Sequence, residues 1–169
     1  MKKLLAVLLA ALMIAAVCGC GAEKETAPEP GTPLSTFYQA VIDMQPADAD
    51  ALIFFEENNP DLIESFYPGL NDIELSQKLL YMPPIATHPC EIFLVEAKNS
   101  EDAEAVAGIF KARIEMGADN DSYPESAKGW QLYAKVQRSG NFVCMIVLPE
   151  GHIIPENVFA IDLTETVGA

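Results

Sequence analysis

Two rhythms of apolar positions run along the chain. Leu34, Phe37, Tyr38, Val41 and Ile42 recur at spacings of three and four, which predicts a helix from Leu34 to Met44, stopped by Pro46. Asp48 to Phe55 carries no decisive period. Asn59 followed by Pro60 reads as a cap and first helical position, opening a short helix to Phe66, and Pro68-Gly69 makes a turn. Gln77 to Met82 predicts a strand closed by Pro83-Pro84. Glu91 to Lys98 predicts a stronger one, with Ile92, Leu94 and Glu96 on one side and Phe93, Val95 and Ala97 on the other.

Asn99 or Ser100 then caps the best helix of the chain. Glu101, Asp102 and Glu104 sit in its first turn, where the helix dipole favours acids. Its buried stripe is Ala103, Val106, Ala107, Phe110 and Ile114; Lys111 and Arg113 lie near its far end, and Gly117 ends it. Asn120 to Ser126 reads as a polar loop. Trp130 to Gln137 predicts a strand with Leu132, Ala134 and Val136 on one face, Ser139-Gly140-Asn141 a hairpin turn, and Phe142 to Leu148 a nearly all-apolar, central strand. Pro155 to Leu163 predicts a final helix. The order β-β-α-β-β-α, behind one or two leading helices, predicts a single α+β domain. Its sheet is four-stranded and mostly antiparallel, with helices on one face.

The first twenty residues follow neither rhythm. Lys2 and Lys3 precede an uncharged apolar run of 14 residues, Leu4 to Val17, too short for a spanning helix of about 20 and typical of an export signal. Val17-Cys18-Gly19-Cys20 resembles the lipobox of bacterial lipoproteins. That resemblance implies cleavage after Gly19 and a diacylglyceryl group on Cys20. An uncleaved anchor running on through Ala22 is the alternative, and both place the protein on the outer face of the cell membrane. The division is therefore residues 1–19 signal peptide, 20–33 lipidated cysteine and Pro-rich tether, and 34–169 folded domain. Ala27 to Pro33 reads as an extended, solvated tether.

Composition narrows the function. Without residues 1–19 the chain has 8 basic and 25 acidic residues, a net charge of −17. Nucleic acid demands a basic footprint and is excluded as a partner. Eleven acids and no Lys or Arg lie between Lys24 and Lys78, read as a solvated face or as a surface for a basic partner. Half the residues are apolar, which supports a packed domain rather than an acidic disordered chain.

The residues Phe66-Tyr67-Pro68-Gly69-Leu70, Leu80-Tyr81-Met82, Glu91-Ile92 and the acid-capped helix ending at Ile114, together with the lipobox, resemble the domain of unknown function 4358 family. These are small lipoproteins, and the resemblance spans about Phe54 to Leu163. It implies an exported single domain and brings no activity, cofactor or site residue.

Candidate chemistry is sparse. His88 and His152 belong to no paired metal motif and read as surface residues of separate loops. Asp119-Asn120-Asp121-Ser122 opens like a calcium loop, which then fails at Tyr123, Pro124 and Trp130. Cys90 and Cys144 are a possible disulfide or two buried free thiols, with no neighbour that would activate them. Glu96, if its strand face is buried, needs a partner such as Lys135; otherwise it is a strand-edge acid in water. Tyr67, Tyr81, Trp130 and Tyr133 form a recognition surface or core rim. No catalytic or cofactor motif is present. The expectation is a non-catalytic binding or interaction module. It is held to the membrane by its lipid and engages a protein, a peptide or a wall component. A solute-binding accessory of a transporter and a small extracytoplasmic hydrolase built on His88 or His152 are the alternatives.

Overall fold

The computed structural model describes residues 27–84 and 88–161. The signal segment, Cys20 and the end of the expected last helix lie outside them. Four helices and five strands form one α+β domain: α1 (Leu34–Asp43), β1 (Phe55–Glu56), α2 (Pro60–Phe66), β2 (Leu75–Met82), β3 (Glu91–Ala97), α3 (Ser100–Ala118), α4 (Pro124–Tyr133), β4 (Lys135–Ser139) and β5 (Phe142–Val147). The sheet order is β1-β2-β3-β5-β4 and every pairing is antiparallel. The sheet thus has a fifth strand beyond the four expected, the two-residue edge strand β1, whose Phe55 pairs with Met82.

Helices do not keep to one face. Phe93, Val95, Val143 and Met145 pack under α3 with Val106, Ala107 and Phe110, and Tyr67 and Trp130 complete that core. On the other face Ile92, Leu94, Cys144 and Ile146 meet Leu34, Phe37 and Val41 of α1 and the C-terminal Val158 and Phe159. The expected helix from Pro155 is, within the described residues, a single 3-10 turn at Val158–Ala160. Burial on both faces explains why β3 and β5 are buried along their whole length. Each large apolar side chain so enclosed contributes about 1.5–3 kcal/mol, and the Phe37, Phe142 and Phe159 rings add edge and tilted contacts at 5.3–5.9 Å.

The segment after α3 differs most from expectation. Trp130 lies on α4, not on a strand, and β4 begins only at Lys135. Pro124 opens α4 at a position where a missing N–H costs nothing, so the expected polar loop is cut short. Gly117 does not end α3, which runs on to Ala118. Caps at Asn59 and Asn99 are as expected: Asn99 Oδ1 accepts from the N–H groups of Glu101 and Asp102 at 3.0 and 2.9 Å.

Two acids sit inside. Glu96 is buried and takes neither Lys135 nor water-exposed edge placement. Its carboxylate accepts from Gln77 Nε2 at 2.7 Å and from the backbone N–H of Gly31 at 2.9 Å. Gln77 Nε2 also donates to Thr32 O at 3.1 Å. Gly31 and Thr32, at the end of the Pro-rich stretch, are therefore tied to the sheet where β3 exits, while most of that stretch stays exposed as expected.

Candidate functional site

The opposite end of the sheet, where β2 and β5 exit and β3 enters, carries the most distinctive surface. Residues 51–54 lead into β1, and residues 51–55 alternate in burial. Leu52 and Phe54 turn inward onto the α1 core, where Phe54 meets Tyr38 and Tyr81. Ile53 and Phe55 turn outward and are 62% and 59% exposed, and Ile153 close by is 43% exposed. Scattered single apolar side chains are ordinary on a surface; several grouped at one end of a sheet are not.

Two hollows flank Pro83-Pro84. One, of about 340 Å³, is lined by Leu52, Ile53, His88, Cys90, Pro149 and His152, with Asp50 at its rim. The other, of about 410 Å³, is lined by Phe55, Leu62, Phe66 and Met82, with Glu57 beside them. Both fall within the size range of small-ligand pockets and are walled mainly by carbon. Proline fixes the wall between them, since its ring restricts the backbone and offers no N–H.

The two histidines are not on unrelated surfaces: both line the first hollow. Their arrangement differs from an acid–base pair. His152 Nδ1 lies 3.2 Å from Pro149 O and its Nε2 3.0 Å from Asp50 O, and a neutral ring, with one N–H, donates to one of these main-chain oxygens at a time. Asp50 takes part through its carbonyl, not its carboxylate. A catalytic base is ordinarily oriented by an acid, and the polar partners of this ring are main-chain carbonyls instead.

Cys90 and Cys144 are both buried and unbonded. Burial pushes the Cys90 thiol from its ordinary 9.0 up to about 12, and the wholly enclosed Cys144 thiol higher still. A thiol so raised stays protonated at neutral pH, and the thiolate is the nucleophile. Iodoacetamide at about pH 8 is expected to alkylate native Cys90 on the order of a thousandfold more slowly than a free cysteine. Both thiols should label once denaturant is added. Mass spectrometry of the intact chain reads this directly, and rapid labelling of native Cys90 would contradict it.

A second polar cluster lies deep on the α3 face. Arg113, expected near the solvated helix end, is buried. Its Nη2 donates to Glu91 Oε2 at 2.8 Å, and Tyr67 Oη donates to Glu91 Oε1. Its guanidinium lies 4.3 Å from the Trp130 ring centroid and 4.9 Å from that of Phe66. Burial pushes the Glu91 carboxyl up, against the Arg113 charge and hydrogen bond that pull it down. Nothing in sequence spacing linked these residues. The network is enclosed and holds α3, β3 and the end of α2 in register.

Of the four aromatic residues read as a recognition surface or else as core or core rim, Tyr67 and Trp130 are core, and Tyr81 is stacked on Tyr38 at 3.9 Å. In the calcium-like stretch Asn120 Oδ1 accepts from Ser122 N–H at 3.1 Å, an ordinary turn. Among the described residues no three His, Cys, Asp or Glu side chains are grouped to hold a metal ion, and no helix is long and apolar enough to cross a membrane.

Fold and surface together define a compact α+β domain with an apolar sheet end. The chain belongs to the family described as domain of unknown function (DUF4358), whose model matches residues 56–148. The match takes in β2 to β5 with α2, α3 and α4, and leaves α1 and the C-terminal segment outside. It is shorter than the span from Phe54 to Leu163 first drawn. No curated protein and no solved structure matches the chain.

Proposed function

We propose that the protein is a non-catalytic binding module. It is exported, is held on the outer face of the cell membrane by lipid on Cys20, and engages a partner through the apolar sheet end around Ile53, Phe55, Pro83 and Pro84. The carrying observation is the outward placement of Ile53 and Phe55 between two carbon-walled hollows. The clamp of Gly31 on Glu96 supports it. The chain arrives from its N-terminal side at one end of β3, and the hollows lie at the other, about 20 Å away for six residues of strand. The absence of a carboxylate partner for His152 among the described residues and the buried, protonated Cys90 support binding over hydrolysis.

The test is a photoreactive residue placed at position 55 or, as a control at the opposite end of β3, at position 98, in intact cells. The expected result is a specific adduct from position 55 alone. No adduct at 55, or equal adducts at both, contradicts the proposal.

A further inference from the structure

The edge beside the hollows is an open strand edge, and its hydrogen-bonding sense can be read. Phe55 pairs with Met82 and Glu56 with Tyr81, and Glu57 N–H donates to Leu80 O at 2.9 Å. In an antiparallel ladder alternate residues bond to the same neighbour. Phe55 and Glu57 therefore face β2, and the main-chain groups of Phe54 and Glu56 face outward. Among the described residues no main-chain or side-chain donor or acceptor takes them. Unpaired edges accept an added strand, and such addition draws affinity from the backbone and specificity from flanking pockets.

Charge states which strand. Glu56 stands on the edge strand, Asp50 and Glu57 line the hollows beside it, and no Lys or Arg occurs between Lys24 and Lys78. Glu57 is partly occupied, accepting from Asn59 N–H at 2.7 Å, and Glu56 from Asn58 Nδ2 at 2.9 Å, but both stay at the surface with their charge. The hollows lie on opposite faces of this edge, Glu57 in the wall of one beside Phe55 and Asp50 in the wall of the other, so an approaching segment meets both carbon and carboxylate on each side.

We infer that the partner is an extended polypeptide segment that combines basic and apolar residues. It adds as a sixth strand outside β1, with apolar side chains against Ile53, Phe55 and Pro83 and basic ones against Asp50 and Glu56. This inference rests on the binding-module reading and supplies the chemical class of its ligand.

The probe is a fluorescent octapeptide of alternating lysine and valine, titrated by anisotropy against the full chain in neutral detergent. Two comparison peptides replace lysine with glutamate or carry N-methyl groups on alternate backbone nitrogens. The lysine peptide should bind at least about tenfold tighter than either comparison, and raising salt from about 50 to about 200 mM should weaken it. Phe55→Ser should weaken it about tenfold, while Tyr123→Ser, which removes another exposed aromatic side chain, should leave it unchanged. Because Phe55 is exposed, the variant keeps its fold, which circular dichroism checks. Equal binding of the lysine and glutamate peptides, indifference to N-methylation, or indifference to Phe55→Ser overturns the inference. An adduct at position 55 with failure of the lysine peptide overturns this ligand class and retains the binding module. Absence of both overturns the two together.

Discussion

Replacing Arg113 with methionine is expected to destabilise the domain by about 3–5 kcal/mol, the cost of stranding one partner of a buried ion pair. The Met side chain keeps much of the contact with Phe66 and Trp130, so the loss reports the uncompensated Glu91 carboxylate more than lost packing. Two further results follow from the same geometry. Adding Glu91→Gln removes the stranded charge and keeps an acceptor for the Tyr67 hydroxyl, so the double variant should recover on the order of 2 kcal/mol. The penalty of the single variant should also depend on pH. Glu91 is raised by burial, and without Arg113 only the Tyr67 hydroxyl bond opposes that rise. A carboxyl raised in the folded state binds its proton more tightly there than in the unfolded chain. The penalty is therefore small below the ordinary carboxylate pKa and grows as pH rises through it. Urea unfolding at about pH 4 and about pH 7 measures both. A loss under about 1 kcal/mol, or a loss independent of pH, contradicts this role for the pair.

Two glycines of α3 should respond to alanine with opposite signs. An exposed mid-helix Gly→Ala change ordinarily stabilises by about 0.5–1 kcal/mol, because alanine loses less backbone freedom. Gly108 has nothing within 4 Å of a Cβ and should follow that rule. At Gly117 a Cβ would stand 2.4 Å from Trp130 Cδ2 and 2.5 Å from Cγ. The indole is held between Gly117 and the Arg113 guanidinium and has little room to retreat. Overpacking of this kind costs about 1–3 kcal/mol, which exceeds the propensity gain. Gly117→Ala should therefore destabilise while Gly108→Ala stabilises, measured by thermal unfolding of the two variants side by side. Stabilisation by both would show that Trp130 is not the fixed element that joins α3 to α4.

The sequence revealed those elements whose burial repeats at a regular spacing. Leu34, Phe37 and Val41 mark α1; the stripe from Ala103 to Phe110 marks α3; the unbroken apolar run of β5 marks a strand covered on both sides. It misled at α4, where Leu132, Ala134 and Val136 imitate a strand while the buried residues are Ser126, Ala127, Gly129 and Trp130. Small residues bury well and carry almost no hydrophobic signal, so the helical period was invisible. β1 was hidden for the opposite reason. Ala51 to Phe55 is apolar throughout, so nothing distinguished the inward Leu52 and Phe54 from the outward Ile53 and Phe55. Coverage of the second face was missed because α1 and the Val158–Phe159 turn are far apart in the chain and meet only over the sheet.

The candidate site was less legible than the fold. His88, Cys90 and His152 were each visible, but the hollow they line joins segments near residues 50, 88 and 150, and no local spacing encodes that meeting. The Glu91–Arg113 pair is separated by 22 positions and depends on the placement of α3 across β3. The acid-rich, base-free stretch was plain from the outset, and its position beside an open strand edge gave it a consequence.

The proposed role stands on attachment outside the cell, and lipid on Cys20 tests that most directly. Cells making the unaltered protein or Cys20→Ser are grown with radioactive palmitate and fractionated. The unaltered protein should carry label and stay with the membrane, and the serine variant should carry none. An unlabelled native protein recovered from the medium or the cytosol contradicts the proposal at its foundation.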